Sequence, residues 1–439
     1  MNKRASIFLI IIGFFSVSCE GFLEEKPVKS ILVPSTVEDI RAILDNYTTL
    51  NSNSLASFIL SDDWVTSSAN WEALNPWEQN AYLWHKEIFQ PQERSVDYNR
   101  LHRKIFFANN CLDILEGLEN QSTHVAQLKG EALFVRSLAM IQLGQLFLPH
   151  FESSEAEIIK IPIRFSAVVT GPSQLMGING LFQRAEQDLL EARNLLPEKA
   201  AFPNRPDKRS AAALLSNVYL YWGKYDLALT MSLEVLDAGI GLMDYKKLNP
   251  LSPYPFKLFN EETLYYGVTS SFSVTASSAT WINPDLIKRY STNDLRRSLY
   301  FNKDAAGNFL YKGSYLGDFN LFSGIGISEV LLNGAESAFR LGRATEGQSI
   351  LIKLIKNRYG DVNQWIEENK SPDLNTVLEE RRKELVFRGS RWSDMKRLAA
   401  IGELKLPLIR KIRGSDFFLE RMDQFSLKLP EIELALNNP

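Results

Sequence analysis

The sequence is poor in the residues that build redox, metal and nucleophilic sites. Its 439 residues include only two cysteines, Cys19 and Cys111, and four histidines. No two histidines have the spacing of a helical zinc site such as H-E-x-x-H. A GxSxG elbow, a Walker loop and a dinucleotide fingerprint are also missing. We therefore predict no catalytic residues, no metal ligands and no cofactor.

The sequence also has no surplus of basic residues and, after the N-terminus, no long apolar run. The chain has 49 basic and 52 acidic residues, a formal net charge of -3, and no dense basic run. Binding to nucleic acid is therefore not expected, because phosphate contacts need clustered Lys and Arg. After the N-terminus there is no apolar run of eighteen residues, so the body is not expected to cross a membrane. The composition, 45% hydrophobic, is ordinary for a globular protein with a sizeable core.

The N-terminus has the pattern of a bacterial export signal. Lys3 and Arg4 precede an apolar segment, Ile7 to Phe15, that is too short to span a bilayer. Small residues then lead to Cys19, which resembles the lipidated cysteine of a bacterial lipobox. The alternative is an ordinary secretory signal that happens to contain a cysteine. Cys111 would then be the only other cysteine, and its helical apolar context predicts a small core residue.

Helical periodicity dominates the chain from residue 36 onward. Apolar residues recur at three- and four-residue spacing, which is typical of helices with one buried stripe. Two helices joined at Gly223, and two more joined at Gly342, resemble tetratricopeptide helical hairpins without forming a regular 34-residue array. We predict helices at about 36–47, 97–117, 122–147, 180–196, 210–222, 225–236, 329–341 and 344–356. A short strand is predicted at 264–269, within an irregular tract.

The most specific stretch lies near the C-terminus and has the sequence EERRKELVFRGSRWSDMKRL. Its apolar positions predict a helix that ends at Gly389, because glycine adopts a left-handed conformation without steric cost. Its charges are spaced for two local ion pairs, Glu384 with Arg388 and Arg391 with Asp394. Because unpaired charges beside large apolar residues are costly, we predict a structural ion-pair cluster rather than a catalytic site.

This stretch closely resembles the C-terminal signature of the SusD/RagB family, of general form ERR-x-EL-x-x-x-G-x-R-W-x-D-L-x-R. Arg388 and Met395 depart from it, since the family often has Glu and usually Leu there. The segment after Cys19 and the ending Leu427–Pro439 also resemble family segments, so the resemblance covers the whole mature chain. It implies a mainly α SusD-like fold of diverged tetratricopeptide-like hairpins with irregular ligand-binding loops.

The resemblance and the helical pattern together give a domain prediction. We expect a lipoprotein signal peptide at 1–18, a lipidated tether at 19–35 and one SusD-like domain at 36–439. Within the domain, residues 36–240 would carry the first hairpins. Residues 241–439 would carry a loop insert and the signature.

Tryptophans on irregular loops are the best candidates for a binding surface. A sugar presents an apolar C–H face and ring hydroxyls, so it suits an exposed indole with polar neighbours. Helical tryptophans such as Trp222 and Trp392 are more simply explained by packing. The predicted ligand-binding residues are Trp64, Trp71, Trp77 and Trp281, with Asp62, Asp63, Asn70 and Asn283 as polar neighbours. The alternative is that these loop aromatics are buried beneath the loops as a satellite core.

The resemblance implies a nutrient-binding lipoprotein on the outer face of a bacterial outer membrane. Its partners would be an oligosaccharide and a SusC-like TonB-dependent transporter that receives the ligand. Three alternatives stay open: a RagB-like protein that binds peptide, a tetratricopeptide scaffold without a ligand, and a surface glycosidase. The last would need two carboxyls about 5–9.5 Å apart. For the adjacent pairs Asp62-Asp63, Glu261-Glu262 and Glu379-Glu380 we predict surface or ion-pair roles instead.

Overall fold

The computed structural model of the protein describes residues 34–119, 122–168, 170–269, 273–275 and 278–437. The predicted signal peptide, the lipidation site Cys19 and nearly all of the predicted tether lie outside the described residues. The chain from Val37 onward forms one compact unit. None of its described helices is long and apolar enough to cross a membrane.

The first half of this unit consists of short helices followed by two long ones and a helical pair. Its helices are α1 (Val37–Leu44), α2 (Tyr47–Leu50), α3 (Ala56–Ile59), α4 (Ser68–Glu72), α5 (Pro76–Tyr82), α6 (Val96–Glu116), α7 (Thr123–Phe147), α8 (Ile178–Leu195), α9 (Lys208–Trp222) and α10 (Tyr225–Asp237). Its strands are β1 (Trp64–Val65), β2 (Ile161–Ile163) and β3 (Gln174–Met176). Helix α7 packs against α6 and α8 and is buried along most of its length.

The second half begins with short strands and ends with helices and a hairpin. Its helices are α11 (Pro284–Ile287), α12 (Arg296–Tyr300), α13 (Ile327–Arg340), α14 (Ala344–Ile355), α15 (Val362–Glu368), α16 (Leu374–Glu384), α17 (Arg391–Ala400) and α18 (Glu431–Asn437). Its strands are β4 (Thr263–Tyr265), β5 (Val268–Thr269), β6 (Trp281–Ile282), β7 (Phe301–Lys303), β8 (Phe309–Tyr311), β9 (Leu321–Phe322), β10 (Ile325–Gly326), β11 (Leu408–Ile412) and β12 (Ser415–Leu419). Among the described residues, every sheet has only two short strands. Because no larger sheet is present among them and helices make up most of the regular structure, the fold is mainly α.

Two helical hairpins pack together at the centre of the unit. In the first, α9 ends at Gly223, whose φ of +77° turns the chain into α10. In the second, α13 and α14 approach so closely that a Cβ on Gly347 would lie 2.6 Å from the Phe339 ring. Helix α10 packs against α13, which joins the hairpins. The predicted hairpins at Gly223 and Gly342 are therefore present, with helix ends within two residues of those expected.

The segments between the predicted helices contain further short helices and strands. The tract 51–96 contains three short helices, and α5 begins with Pro76 after a capping box in which Glu78 contacts the Asn75 backbone. The single strand predicted at 264–269 is two strands, β4 and β5, which pair with β10 and β9 respectively. Cys111 is fully buried, as predicted, and burial raises the pKa of its thiol to about 12.

The signature helix ends earlier than predicted. Helix α16 stops at Glu384, five residues before Gly389. Both Phe387 and Gly389 have left-handed backbone conformations, with φ of 59° and 78°. The Phe387 ring packs against Phe58, with 4.7 Å between ring centroids. The chain has therefore left the helix by the point where the Phe387 ring is buried against Phe58.

Candidate functional site

The signature contains a buried network of charged side chains rather than an open site. Arg358 is fully buried, and its guanidinium lies 2.8 Å from Glu262 and 2.9 Å from Glu384. The Arg358 guanidinium also lies over the Tyr245 ring and makes a cation–π interaction with it, with 3.8 Å between the Arg358 Cζ and the ring centroid. Burial opposes ionisation of Glu384, but Arg358 and Arg296 outweigh that cost and hold its pKa below the ordinary value.

Arg296, the first residue of α12, extends the network to Asp294 and to this helix. It lies 2.7 Å from Asp294, 2.6 Å from Glu380 and 3.2 Å from Glu384, and all four side chains are at most 3% exposed. Lys383 reaches the other side of Glu380 at 2.5 Å. Every charge in this group has an opposite charge in contact, which is the condition under which buried ions are tolerated.

The local ion pairs predicted within the signature are wrong. Asp394 pairs with Arg381 and Arg397, each at 2.8 Å, and Arg391 pairs with Asp62 at 2.6 Å. Arg388 stacks on the Tyr315 ring at 3.8 Å instead of contacting Glu384. The bend after α16 removes the helical geometry that a pair of Glu384 with Arg388 would require. Arg391 and Asp394 share α17, but each has another partner. The predicted ion-pair cluster exists, and it combines local pairs, such as Asp394 with Arg397, with the distant pair of Arg391 and Asp62.

Asp62, predicted as a ligand contact, is instead the link between the signature and the first half of the chain. Its carboxylate accepts hydrogen bonds from Arg391 at 2.6 Å and from Arg382 at 2.9 Å. Burial disfavours its charge, but Arg391 and Arg382 together hold the pKa of Asp62 well below its usual range. With both oxygens engaged by arginines, Asp62 has a structural role in the ion network.

Two more of the predicted ligand contacts are buried. Trp64 is 1% exposed, lies between Phe58 and Tyr82, and donates its indole N–H to the Ile59 carbonyl. Asp63 is also 1% exposed, and burial together with the charge of Asp62 raises its pKa to about 6. Both were chosen on the expectation that loop residues would be exposed, and that expectation is wrong for them, because this loop folds inward and forms part of the core.

The other three predicted tryptophans keep part of the indole at the surface. Trp71 in α4 donates its N–H to the Gln79 carbonyl at 3.1 Å, and Trp281 in β6 donates to the Ser278 carbonyl at 3.0 Å. Trp77 in α5 stacks on Phe89 with 6.3 Å between centroids. All three are half-buried. Their rings are therefore held in position before any ligand arrives.

Asn70 and Asn283 help to build the loops rather than standing free. The Asn70 backbone N–H donates to the Ser67 hydroxyl, which caps α4. The Asn283 side chain donates to the Asp62 carbonyl at 3.0 Å, and its oxygen accepts from the Asp285 N–H at the start of α11. The Asn283 side chain therefore joins the Asp62 loop to the start of α11. Asn70 is half-buried and lies one position before Trp71 in the sequence.

The structure brings the two tryptophan-bearing segments together although about 200 residues separate them. Strands β1 and β6 pair in antiparallel register, with Val65 opposite Trp281. The Thr66 hydroxyl donates to the Ala279 carbonyl at 2.7 Å, and the Ser273 hydroxyl donates to Glu78 at 3.0 Å. The surface formed by these segments and bearing Trp71, Trp77 and Trp281 is called the tryptophan face below.

Sequence reasoning missed a cation at the edge of this face. Arg413 lies at the tip of the β11–β12 hairpin, with its Cζ 5.7 Å from the Trp71 ring centroid. Its guanidinium pairs with Glu72 at 2.8 Å, and its backbone N–H donates to the Ser68 hydroxyl. The signal in the sequence is Arg413-Gly414 between two alternating apolar runs, which is a hairpin pattern. Nothing in that pattern indicates which surface the tip contacts.

At least one carboxylate of each adjacent pair is engaged by a cation, as predicted, but Asp63 is buried and has no ion pair among the described residues. Each of the three pairs contributes one buried member to the ion network, namely Asp62, Glu262 and Glu380. Among the described residues, no group of three or more His, Cys, Asp or Glu side chains is arranged to hold a metal ion. The arrangement thus offers fixed aromatic surfaces and hydrogen-bonding groups.

Comparison with known proteins gives the same family at both ends of the chain. Residues 21–220 match the SusD-like 3 family model, described as "Starch-binding associating with outer membrane", and residues 324–422 match the model of the SusD family. The chain belongs to the SusD/RagB family. Among curated proteins, no sequence matches it.

Solved structures show that the SusD-like fold extends over nearly the whole chain. A SusD superfamily protein from Bacteroides thetaiotaomicron is 20% identical, with a TM-score of 0.73 over 92% of this chain and 98% of that one. One from Bacteroides fragilis has the same identity and TM-score over 92% and 99%. A laminarin-binding SusD-like protein is 17% identical, with a TM-score of 0.64 over 91% and 97%. The predicted fold class and the predicted SusD/RagB membership are confirmed.

Proposed function

We propose that this SusD/RagB-family protein binds an oligosaccharide on the tryptophan face. The observation that supports the proposal most is the fixed orientation of Trp71 and Trp281, which are half-buried and whose indole N–H groups are bonded to backbone carbonyls. A family model described as starch-binding and a laminarin-binding neighbour agree with this ligand class. Residues 36–439 would act as one binding domain.

The binding mechanism requires no covalent step. Each indole offers an apolar surface to the C–H face of a sugar ring, and the prior fixation of the ring reduces the entropy lost on binding. Arg413 and Glu72 pair at the edge of the face, with side chains 62% and 46% exposed, and can hydrogen-bond to ring hydroxyls. Asn70 offers an amide beside Trp71. Apolar stacking would supply affinity, and these polar groups would supply orientation.

We further propose where and with which partner the protein acts. Lipidation at Cys19 would attach the chain to the outer membrane, with the folded unit on the exterior side. The bound oligosaccharide would then pass to a SusC-like TonB-dependent transporter in the same membrane. This step is an expectation from family membership, and co-purification of the protein with a TonB-dependent barrel would test it.

A binding screen tests the ligand class. The chain from Glu20 onward would be applied to an array of glycans and to a panel of peptides, and each hit would be measured by calorimetry. We expect at least one oligosaccharide to bind and to change tryptophan fluorescence. Peptide-only binding would favour a RagB-like peptide importer. If neither a glycan nor a peptide binds, the protein would be better explained as a scaffold. Release of reducing ends from an oligosaccharide would reveal a glycosidase.

A further inference from the structure

A strongly basic cavity lies where the start of α6 packs against α2. It measures about 510 Å³, which is within the range of about 300–1,000 Å³ common for ligand sites. Its walls include three arginines and three hydroxyl side chains, namely Arg94, Arg100, Arg103, Thr48, Thr49 and Ser52. The described residues that line it include no Asp or Glu, although the whole chain has a net charge of -3. This cavity is called the arginine pocket below.

The three arginines of the pocket differ in how they are held. Arg94 and Arg103 are exposed, and within the described part of the chain neither guanidinium forms an ion pair or a hydrogen bond. Arg100 is fixed, because it donates to the Asn53 carbonyl at 2.7 Å and lies 3.3 Å from Asp97, with a side chain that is 23% exposed. The pocket therefore combines one fixed guanidinium with two that are accessible from solvent.

The acidic side chains nearest to the pocket are engaged outside it. Asp97 is buried, and its carboxylate accepts a hydrogen bond from the Ser54 hydroxyl at 2.9 Å. Glu93 accepts a backbone hydrogen bond within its own turn at 3.1 Å. Glu433 bonds to the amide of Asn99 at 2.6 Å, and of these two residues only Asn99 lines the pocket. These carboxylates lower the positive potential of the pocket without contributing to its walls.

The donors on these walls suit a tetrahedral oxyanion. A guanidinium presents its N–H donors in a planar fork, which matches the oxygens of an anionic group. The hydroxyls of Thr49 and Ser52 can donate as well, whereas the Thr48 hydroxyl already donates to Asn46 at 2.9 Å. A carboxylate is planar and is satisfied by one fork, but the oxygens of sulfate or phosphate point in several directions. Donors from the α2 side and from α6 can therefore bond the same sulfate or phosphate.

We propose that the arginine pocket binds a sulfate or phosphate group carried by a small soluble ligand. Arg94 and Arg103 would bond the oxygens of the anion, while the fixed Arg100 and the hydroxyl of Thr49 would orient it. A cleft with charges of one sign concentrates the field and attracts the counter-ion. Its concave shape favours a soluble ligand, because the headgroups of a flat membrane would meet only the rim. None of its lining residues belongs to the tryptophan face, so this is a separate site.

Calorimetry on the chain from Glu20 onward, which retains the whole compact unit, tests this proposal. The probes are inorganic sulfate, inorganic phosphate and the sulfate and phosphate esters of glucose, with sodium chloride holding the ionic strength constant. We expect at least one probe to bind. Arg94→Gln and Arg103→Gln should each weaken that binding about fivefold. Arg343→Gln removes a guanidinium that is 58% exposed between α13 and α14, and this matched control should leave the affinity unchanged.

The outcomes separate a pocket from a general charge effect. Weakening by both pocket variants, with Arg343→Gln unchanged, supports the proposal. Absence of binding by all four probes overturns it, as does binding that either pocket variant leaves unchanged or that all three variants weaken equally. Co-sedimentation with vesicles of phosphatidylglycerol and phosphatidylcholine, without binding of any soluble probe, also overturns it. The inorganic ions carry no sugar ring, so this proposal and oligosaccharide binding on the tryptophan face can each fail alone.

Discussion

The ion network of the signature and the tryptophan face use their residues in opposite ways. In the network, Arg358 and Glu384 are fully buried and each contacts an oppositely charged side chain. On the face, Trp71 and Trp281 satisfy their polar atoms but leave part of the ring exposed. In the network, the charged side chains bond to one another and hold segments of the chain together. The face keeps an apolar surface available, and that difference is our reason for assigning stability to one region and binding to the other.

The two regions are nevertheless connected through one loop. Asp62 holds Arg391 of the signature, and the next residues form β1, which pairs with the strand containing Trp281. The network therefore fixes the base of the loop while the face lies at its outer side. Variants in each region should separate stability from affinity if this division is correct.

The largest expected effect is on stability, from Arg358→Ala. Removing this guanidinium leaves Glu262 and Glu384 buried without their main partner, which should lower the free energy of unfolding by about 3–5 kcal/mol. Urea unfolding followed by circular dichroism measures the change. Arg421→Ala breaks an exposed pair with Asp423 and should leave the free energy of unfolding nearly unchanged. Equal losses in the two variants would contradict a specialised buried network.

Arg391→Ala should destabilise the protein by about 3 kcal/mol, because the buried Asp62 then loses the larger of the two arginine contacts that hold its charge. Oligosaccharide affinity in the protein that remains folded should stay within twofold of the wild type. Calorimetry at a temperature well below the unfolding midpoint gives both numbers. A selective loss of affinity, with stability unchanged, would mean that the signature takes part in binding.

Stability should also fall in acid because of the network. Arg381 and Arg397 outweigh the effect of burial on Asp394 and lower its pKa to about 2, from 3.8 in the unfolded chain. The unfolded state binds the proton first, so the stabilisation is complete above about pH 4 and is lost as the pH falls toward 2. This one group should account for about 2 kcal/mol.

Unfolding in urea at a series of pH values between 2 and 6 measures this slope. Asp394→Asn cannot titrate, so its stability should vary less with pH in the acid range, although the variant starts from a lower value. An unchanged slope in the variant would show that Asp394 is not held ionised by its two arginines.

A smaller effect is expected at the edge of the face, from Arg413→Ala. Arg413 contacts Glu72 and lies beside Trp71, and its side chain is 62% exposed. Its loss should weaken oligosaccharide binding about two- to fivefold and leave the unfolding midpoint unchanged. Arg421→Ala is again the control, since it removes an exposed guanidinium elsewhere. An equal drop in affinity for both would indicate a general charge effect.

Local sequence patterns were sufficient for the helices but not for the partners of their side chains. The bounds of α7, α9 and α14 followed from apolar periodicity and turn residues within the segment itself. The partner of Arg391 could not be read in the same way, because Asp62 lies 329 positions earlier. Local spacing therefore predicted an ion-pair cluster correctly and its pairs wrongly.

The binding residues show the same limit. Trp64 and Trp71 occur seven positions apart in similar polar surroundings, yet the first is buried against Phe58 and the second keeps an exposed edge. Burial depends on which distant segment covers a loop, so composition alone could not separate them. Arg413 was missed because its nearness to Trp71 arises only when the C-terminal hairpin folds onto α4.

The most direct test of the central claim compares two half-buried tryptophans in calorimetric titrations with the best oligosaccharide from the screen. Trp281→Ala removes a ring of the tryptophan face and should weaken binding about tenfold. Trp222→Ala removes a ring of similar exposure that stacks on Phe151 at the end of α9, and it should leave the affinity within twofold. Full affinity in Trp281→Ala, or equal losses in both variants, would contradict the assignment of binding to the tryptophan face.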